Sequence, residues 1–164
     1  MANKKTTENT NISKNVSVFA RTSHKSQEWI SEMQRELKWL SGDSNYQLLR
    51  AVLQSLRDQM NVHETAHFAA QLPLLLRGSF YEGWNPQIAQ ISGRTKEDFL
   101  EAVKNKLSPG GIPPKFELED GVLVALNVIK KHVSAGEMKD IVGAVNPSLK
   151  EFIERKTSQP EASH

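Results

Sequence analysis

Leu49-Arg50-Ala51-Val52-Leu53-Gln54-Ser55-Leu56-Arg57-Asp58-Gln59-Met60 can be laid over Val122-Leu123-Val124-Ala125-Leu126-Asn127-Val128-Ile129-Lys130-Lys131-His132-Val133 by sliding the chain along itself by 73 residues. The register pairs Leu49 with Val122, Leu53 with Leu126, Leu56 with Ile129 and Met60 with Val133. It continues without a gap: Glu64 meets Glu137, Phe68 meets Ile141, Leu72 meets Val145, Leu76 meets Leu149, Arg77 meets Lys150 and Phe80 meets Ile153. The shared apolar positions recur at spacings of three and four, which is the stripe of an amphipathic helix and not the alternation of a strand. A shift of 70 adds a third stretch, placing Trp29, Ile30, Met33 and Leu37 on Phe99, Leu100, Val103 and Leu107. The fold class this predicts is all-α: a helical bundle built from a tandem duplication of a three-helix unit, with a short C-terminal helix.

The expected helices of the first unit cover 26–40, 45–60 and 63–77, and those of the second cover 96–107, 118–132 and 135–145, followed by the short helix 147–155. Asp43 or Ser44 offers a cap for the second helix, and Gly78 fits the left-handed position that closes the third. Thr95 with Asp98 three residues on reads as an N-cap with an acidic first turn, and Pro147 suits a first helical position. Prolines and glycines within 108–114 break the chain between helices. Val16-Ser17-Val18 and Phe116-Glu117-Leu118 alternate, but each run is too short to define a sheet. The organisation expected is a disordered leader over 1–22, the first unit with an aromatic linker over 23–86, the second unit over 94–155 packed on the first as one domain, and a disordered tail over 156–164.

Composition restricts the function classes. The 164 residues are 38% hydrophobic and contain no cysteine, which excludes a disulfide framework, a thiolate metal site and a cysteine nucleophile, and fits a reducing cytoplasm. No run approaches the ~18 apolar residues of a membrane span, and the polar start lacks the apolar stretch of a secretion signal. The formal charge is +2, but residues 1–25 alone carry a net +4 and the remainder a net −2. The basic character therefore belongs to the leader. The mixed body points away from nucleic acid and membrane, and a nucleic-acid role would have to run through the tail, as weak, salt-sensitive binding. His24, His132 and His164 are isolated in sequence and read as solvated.

Two constellations carry possible chemistry. His63-Glu64-Thr65-Ala66-His67 matches the H-E-x-x-H pattern, in which two imidazoles at i and i+4 of a helix hold zinc and the glutamate acts as general base. No third ligand follows at the spacing such sites use, and Gly136-Glu137-Met138-Lys139-Asp140, the matching stretch, keeps the acid without either histidine. Glu64 then reads as part of the helix start, close to the positive end of the helix dipole. The second constellation is the linker 74–86. There Tyr81 and Trp84 could form a ligand-stacking pair with Arg77 and Glu82 as polar anchors, or could fold over the junction and bury area between the units. Trp29 and Trp39, ten residues apart, are expected on one side of the first helix, in the core or on a partner-binding surface.

The succession Gln47-Leu48-Leu49-Arg50-Ala51-Val52-Leu53, Leu56-Arg57-Asp58-Gln59-Met60, Ala69-Ala70-Gln71-Leu72-Pro73, Leu75-Leu76-Arg77-Gly78 and Tyr81-Glu82-Gly83-Trp84-Asn85-Pro86 resembles the bacterial family catalogued as domain of unknown function 2267, over roughly residues 21–155. That resemblance implies a small helical protein with no assigned reaction, cofactor or partner. Its pattern asks for the acid at Glu64 but not for His63. The second half departs from the pattern, with Asn146 where the first has Pro73. The leading expectation is a non-enzymatic, cytoplasmic helical module, without cofactor, that acts through protein–protein interaction or self-association. The alternative is a metal-dependent hydrolase using zinc at His63 and His67.

Overall fold

A computed structural model describes the backbone of residues 4–107 and 117–156 and the side chains of 17–107 and 117–156. The described residues form eight helices and no strand: α1 Lys4–Glu36, α2 Gly42–Arg57, α3 Val62–Ala70, α4 Leu74–Tyr81, α5 Lys96–Lys106, α6 Leu118–His132, α7 Ala135–Gly143 and α8 Pro147–Glu154. The break expected over 108–114, Phe116, the tail over 157–164 and His164 lie outside the described residues.

The stations paired by the 73-residue shift share their burial. Leu49, Leu53, Leu56, Leu76 and Phe80 are fully enclosed, as are Val122, Leu126, Ile129, Leu149 and Ile153. At the 70-residue shift, Trp29 and Met33 are buried as are Phe99 and Val103. The helix bounds follow: adding 73 to α3 and α4 gives α7 and α8 residue for residue. These side chains join one hydrophobic core that takes residues from every helix except α3's exposed first turn. α2 lies at its centre, packed on α1, α4, α5 and α6.

Several boundaries differ from expectation, each for a local reason. The single helix expected over 63–77 is two, because Pro73 has no N–H to donate and disfavours helical backbone at the preceding residue. Pro73 stands instead at the N-cap of α4, so the first half carries four helices where three were expected. The cap of α2 is Ser41, whose hydroxyl accepts from the Ser44 amide at 3.1 Å, and neither Asp43 nor Ser44 fills that position. Gly78 lies inside α4; the left-handed residue past that helix is Gly83, at φ +71°. Glu82 and Gly83 are the two central residues of a type II turn closed by the Trp84 amide donating to the Tyr81 carbonyl, and such a turn requires positive φ at its third residue. Thr95 and Asp98 form the expected cap as a reciprocal capping box, and its hydrogen bonds hold the Asp98 carboxyl below its ordinary range.

α1 starts far ahead of the expected Ser26. No proline or glycine occurs between Met1 and Ser41 to interrupt a helix, so a polar composition that cannot support packing still permits helical backbone. The side chains of Ser17, Val18, Phe19, Ala20 and Arg21 are exposed, and burial begins at Ser26. Trp29 and Trp39 part company because α1 ends at Glu36: Trp29 is buried, and Trp39, in the turn beyond, is exposed.

Candidate functional site

His63 and Glu64 occupy the first turn of α3, where the sequence places them, but their surroundings are those of a helix cap. The Asn61 side chain accepts from the Glu64 amide at 2.8 Å, and the Glu64 carboxylate accepts from the Asn61 amide at 3.0 Å. Both lone donors are met by this exchange, and the carboxylate is held by its own backbone instead of being directed between the histidines. The His63 and His67 rings are neighbours, with centroids 4.5 Å apart, on an exposed face. Glu137, at the start of α7, approaches His67 Nδ1 at 3.8 Å. Among the described residues no three His, Asp or Glu side chains gather as a metal ion would require. Ser134 caps α7 by accepting from the Glu137 amide, at the position 73 residues beyond Asn61.

The aromatic linker divides in the same way. Arg77 reaches back to the end of α3, where Nε donates to the Ala69 carbonyl at 2.9 Å and Nη2 to the Leu72 carbonyl at 3.1 Å. It therefore adds a cation and further donors to the carbonyl end of the helix, where the Ala69 carbonyl also accepts from the Leu72 amide. Glu82 accepts from Arg50 at 3.2 Å on the surface. Tyr81 and Trp84 are half-buried with ring centroids 5.4 Å apart, touching each other, so no slot for a flat ligand remains between them. Arg57, which enters the sequence reading only within the repeat and the family resemblance and without a role, is buried and donates to the Phe80 and Glu82 carbonyls at 2.8 and 2.9 Å. It tethers the end of α4 to α2 and pairs with Asp58, which also meets Lys106 at 2.9 Å. His132, read as solvated, is half-buried, stacked on Trp29 at 4.7 Å, with Nε2 2.9 Å from Glu32.

A groove with a mixed apolar and hydroxyl lining lies elsewhere, where α1, α2 and α4 meet. They leave a groove of about 640 Å³ between Ser26, Ile30, Tyr46, Leu75, Leu76 and Ser79. Its lining is mixed. Leu76 is buried, Leu75 is half exposed at the rim, and the Tyr46 and Ser79 hydroxyls share a hydrogen bond of 2.7 Å. Ser26 is 5% exposed and its Oγ has no hydrogen-bond partner.

The corresponding place in the second half is built differently. Phe152 stands where the 73-residue shift puts Ser79, Glu119 where it puts Tyr46, and Lys96 where the 70-residue shift puts Ser26. The Phe152 ring is buried, with Lys96 Nζ 5.6 Å and the Arg155 guanidinium 5.1 Å from its centroid. Glu119 accepts from Arg155 at 2.7 Å and from Lys96 at 3.0 Å, and those two cations hold its carboxyl below the usual range. Phe152 takes that station in one half, and in the other the Ser79 hydroxyl paired with Tyr46 does; a groove of about 640 Å³ lies at each.

Fold and surface together define a small all-helical protein whose main candidate site is a groove between helices. The chain belongs to the DUF2267 family, described as an uncharacterized conserved protein, whose family model matches residues 26–152. Among curated proteins, none matches the chain. The family match begins at Ser26, the residue at which α1 enters the core.

Proposed function

We propose that this protein is a cytoplasmic, non-enzymatic helical module that acts by binding protein through the groove between α1, α2 and α4. The observation that carries the reading is the groove itself, walled by the buried Leu76 and the paired Tyr46 and Ser79 hydroxyls and rimmed by the exposed Leu75. Leu75 and its neighbour Leu74 are both more than half exposed at the start of α4, and an apolar rim around a few polar groups is the usual make-up of a protein contact. The absence of cysteine fits work in a reducing compartment, and no described helix is long and apolar enough to cross a membrane. A photo-reactive side chain placed at Leu75 is expected to capture a polypeptide, and the same probe at the exposed Val62 on α3 is not. Equal capture at both positions, or none at Leu75, contradicts the reading.

A further inference from the structure

We infer that the side-chain nitrogen of Lys130 is a site of acylation by an acyl phosphate, and that the modification loosens the C-terminal end of α8. This site lies in the second half, apart from the groove between α1, α2 and α4.

Three observations carry it. The first is a tie that the fold builds twice. Arg57 donates to the Phe80 and Glu82 carbonyls, and 73 residues on Lys130 donates to the Ile153 and Arg155 carbonyls at 2.6 and 3.1 Å. Donor and both acceptors move by the same shift, so Lys130 does for the end of α8 what Arg57 does for the end of α4. The halves differ in the chemistry of the donor. A guanidinium stays protonated, whereas an ammonium that gives up its proton becomes a nucleophilic amine. Arg57 also pairs with Asp58, and the shift puts Lys131 where Asp58 stands, so the second tie lacks that carboxylate.

The second observation is the state of the amine. Burial, and then the cation of Lys156, hold the Lys130 ammonium below the ordinary lysine range, against an opposing effect of Glu154. Each unit of such lowering raises the share of free amine near neutral pH about tenfold.

The third observation is access. Lys130 lines a groove of about 740 Å³ where α6, α7 and α8 meet. Met138, Val142 and Ile153 give the groove an apolar base suited to a short acyl chain. Lys139 and Lys150 line it too, and with Lys130 they outnumber Asp140 and Glu154, which favours a reagent whose leaving group is a phosphate anion. The lone pair of the free amine attacks the acyl carbon, the bond from that carbon to the phosphate oxygen breaks, and phosphate leaves with the bonding electrons and takes up a proton from the nitrogen. The amide that results is neutral and keeps one N–H, so it cannot donate to both carbonyls.

The test uses the full chain, incubated with acetyl phosphate, with modification at each lysine followed by peptide mass spectrometry. Lys130 is expected to be acetylated about fivefold faster or more than the exposed Lys131. In a chain carrying both Lys139→Ala and Lys150→Ala that preference is expected to fall. The structural consequence is read by hydrogen exchange. Acetylation is expected to speed exchange of the amides over 150–155 about tenfold and to leave those over 77–82 in α4 unchanged. Lys130→Arg, which restores the donor of the first half and cannot be acylated, is expected to keep slow exchange over 150–155 after the same treatment. Lys130→Gln, a neutral stand-in for the amide, is expected to show the fast exchange without any reagent, and because the acetylated chain gives the same reading the test survives if that variant does not fold. Acetylation of Lys130 no faster than of Lys131, unchanged exchange over 150–155 in the acetylated chain, or equally fast exchange there in treated Lys130→Arg overturns the inference.

Discussion

Asn61 and Glu64 exchange hydrogen bonds across the first turn of α3, and each leaves a backbone donor unmet when its side chain is removed. Asn61→Ala or Glu64→Ala is expected to cost about 1 kcal/mol, lowering the thermal midpoint by roughly 2–4 °C for a chain of this size. The double variant should cost less than the sum, because both residues serve one box. His63→Ala, on the exposed face, should stay within about 0.5 kcal/mol of wild type by the same melting measurement. A catalytic zinc site predicts another pattern. Zinc would copurify at one equivalent per chain, be lost in His67→Ala, and Glu64→Ala would leave stability unchanged. The H-E-x-x-H spacing is genuine in the sequence, but spacing fixes only which atoms can share a face. Whether a carboxylate points at a metal or at its own N-cap depends on which donor is nearer, and here the Asn61 amide is 3.0 Å away. Arg77 makes the same point, since its partners are carbonyls at the end of the preceding helix.

Among the helices, α4 tests the reading of glycines most directly. Gly78 lies within α4, and a Cβ there would meet nothing within 4 Å. Gly78→Ala should therefore stabilise the protein by about 0.5–1 kcal/mol, because alanine gives up less backbone freedom in a helix. A Cβ at Gly83 is equally free of neighbours, yet φ is +71°, so Gly83→Ala should destabilise by about 1–2 kcal/mol through backbone strain alone. Urea denaturation of the two variants should give midpoints on opposite sides of wild type. Had Gly78 closed the helix in a left-handed conformation, as its position after Arg77 suggests, Gly78→Ala would destabilise instead. A glycine at a helix end and a glycine inside a helix look alike in sequence. Distinguishing them requires knowing that Pro73 restarts the chain and that α4 has further apolar contacts to make through Phe80.

For the molecule as a whole, the core is continuous from Trp29 to Ile153, and α2 touches helices of both halves. Neither half can expose its face of α2 without opening the other. Thermal unfolding should follow one transition, with far-UV circular dichroism and tryptophan fluorescence coinciding. Trp29 is a fitting reporter: it belongs to α1 and stacks on His132 at the end of α6, so its surroundings change when the halves part. Two separated transitions would mean that the halves fold independently. Lys130 adds another tie within the second half, donating to the Ile153 and Arg155 carbonyls at 2.6 and 3.1 Å, and the burial this entails pushes its ammonium below its ordinary range.

The all-helical class, the matched burial of Leu49 with Val122 and of Phe80 with Ile153, the Thr95 cap and the start at Pro147 were all legible in the order of residues. They depend on groups within a turn or two of one another, where helical periodicity and capping chemistry leave few alternatives. The placement of His132 on Trp29 and Glu32, of Arg57 under the end of α4, and of Ser26 unpaired in a groove with Leu75 depended on packing. Those contacts join segments tens to a hundred residues apart. No local pattern specifies them, because they follow from which faces the helices bury together and from the space that serines, in place of larger side chains, leave behind.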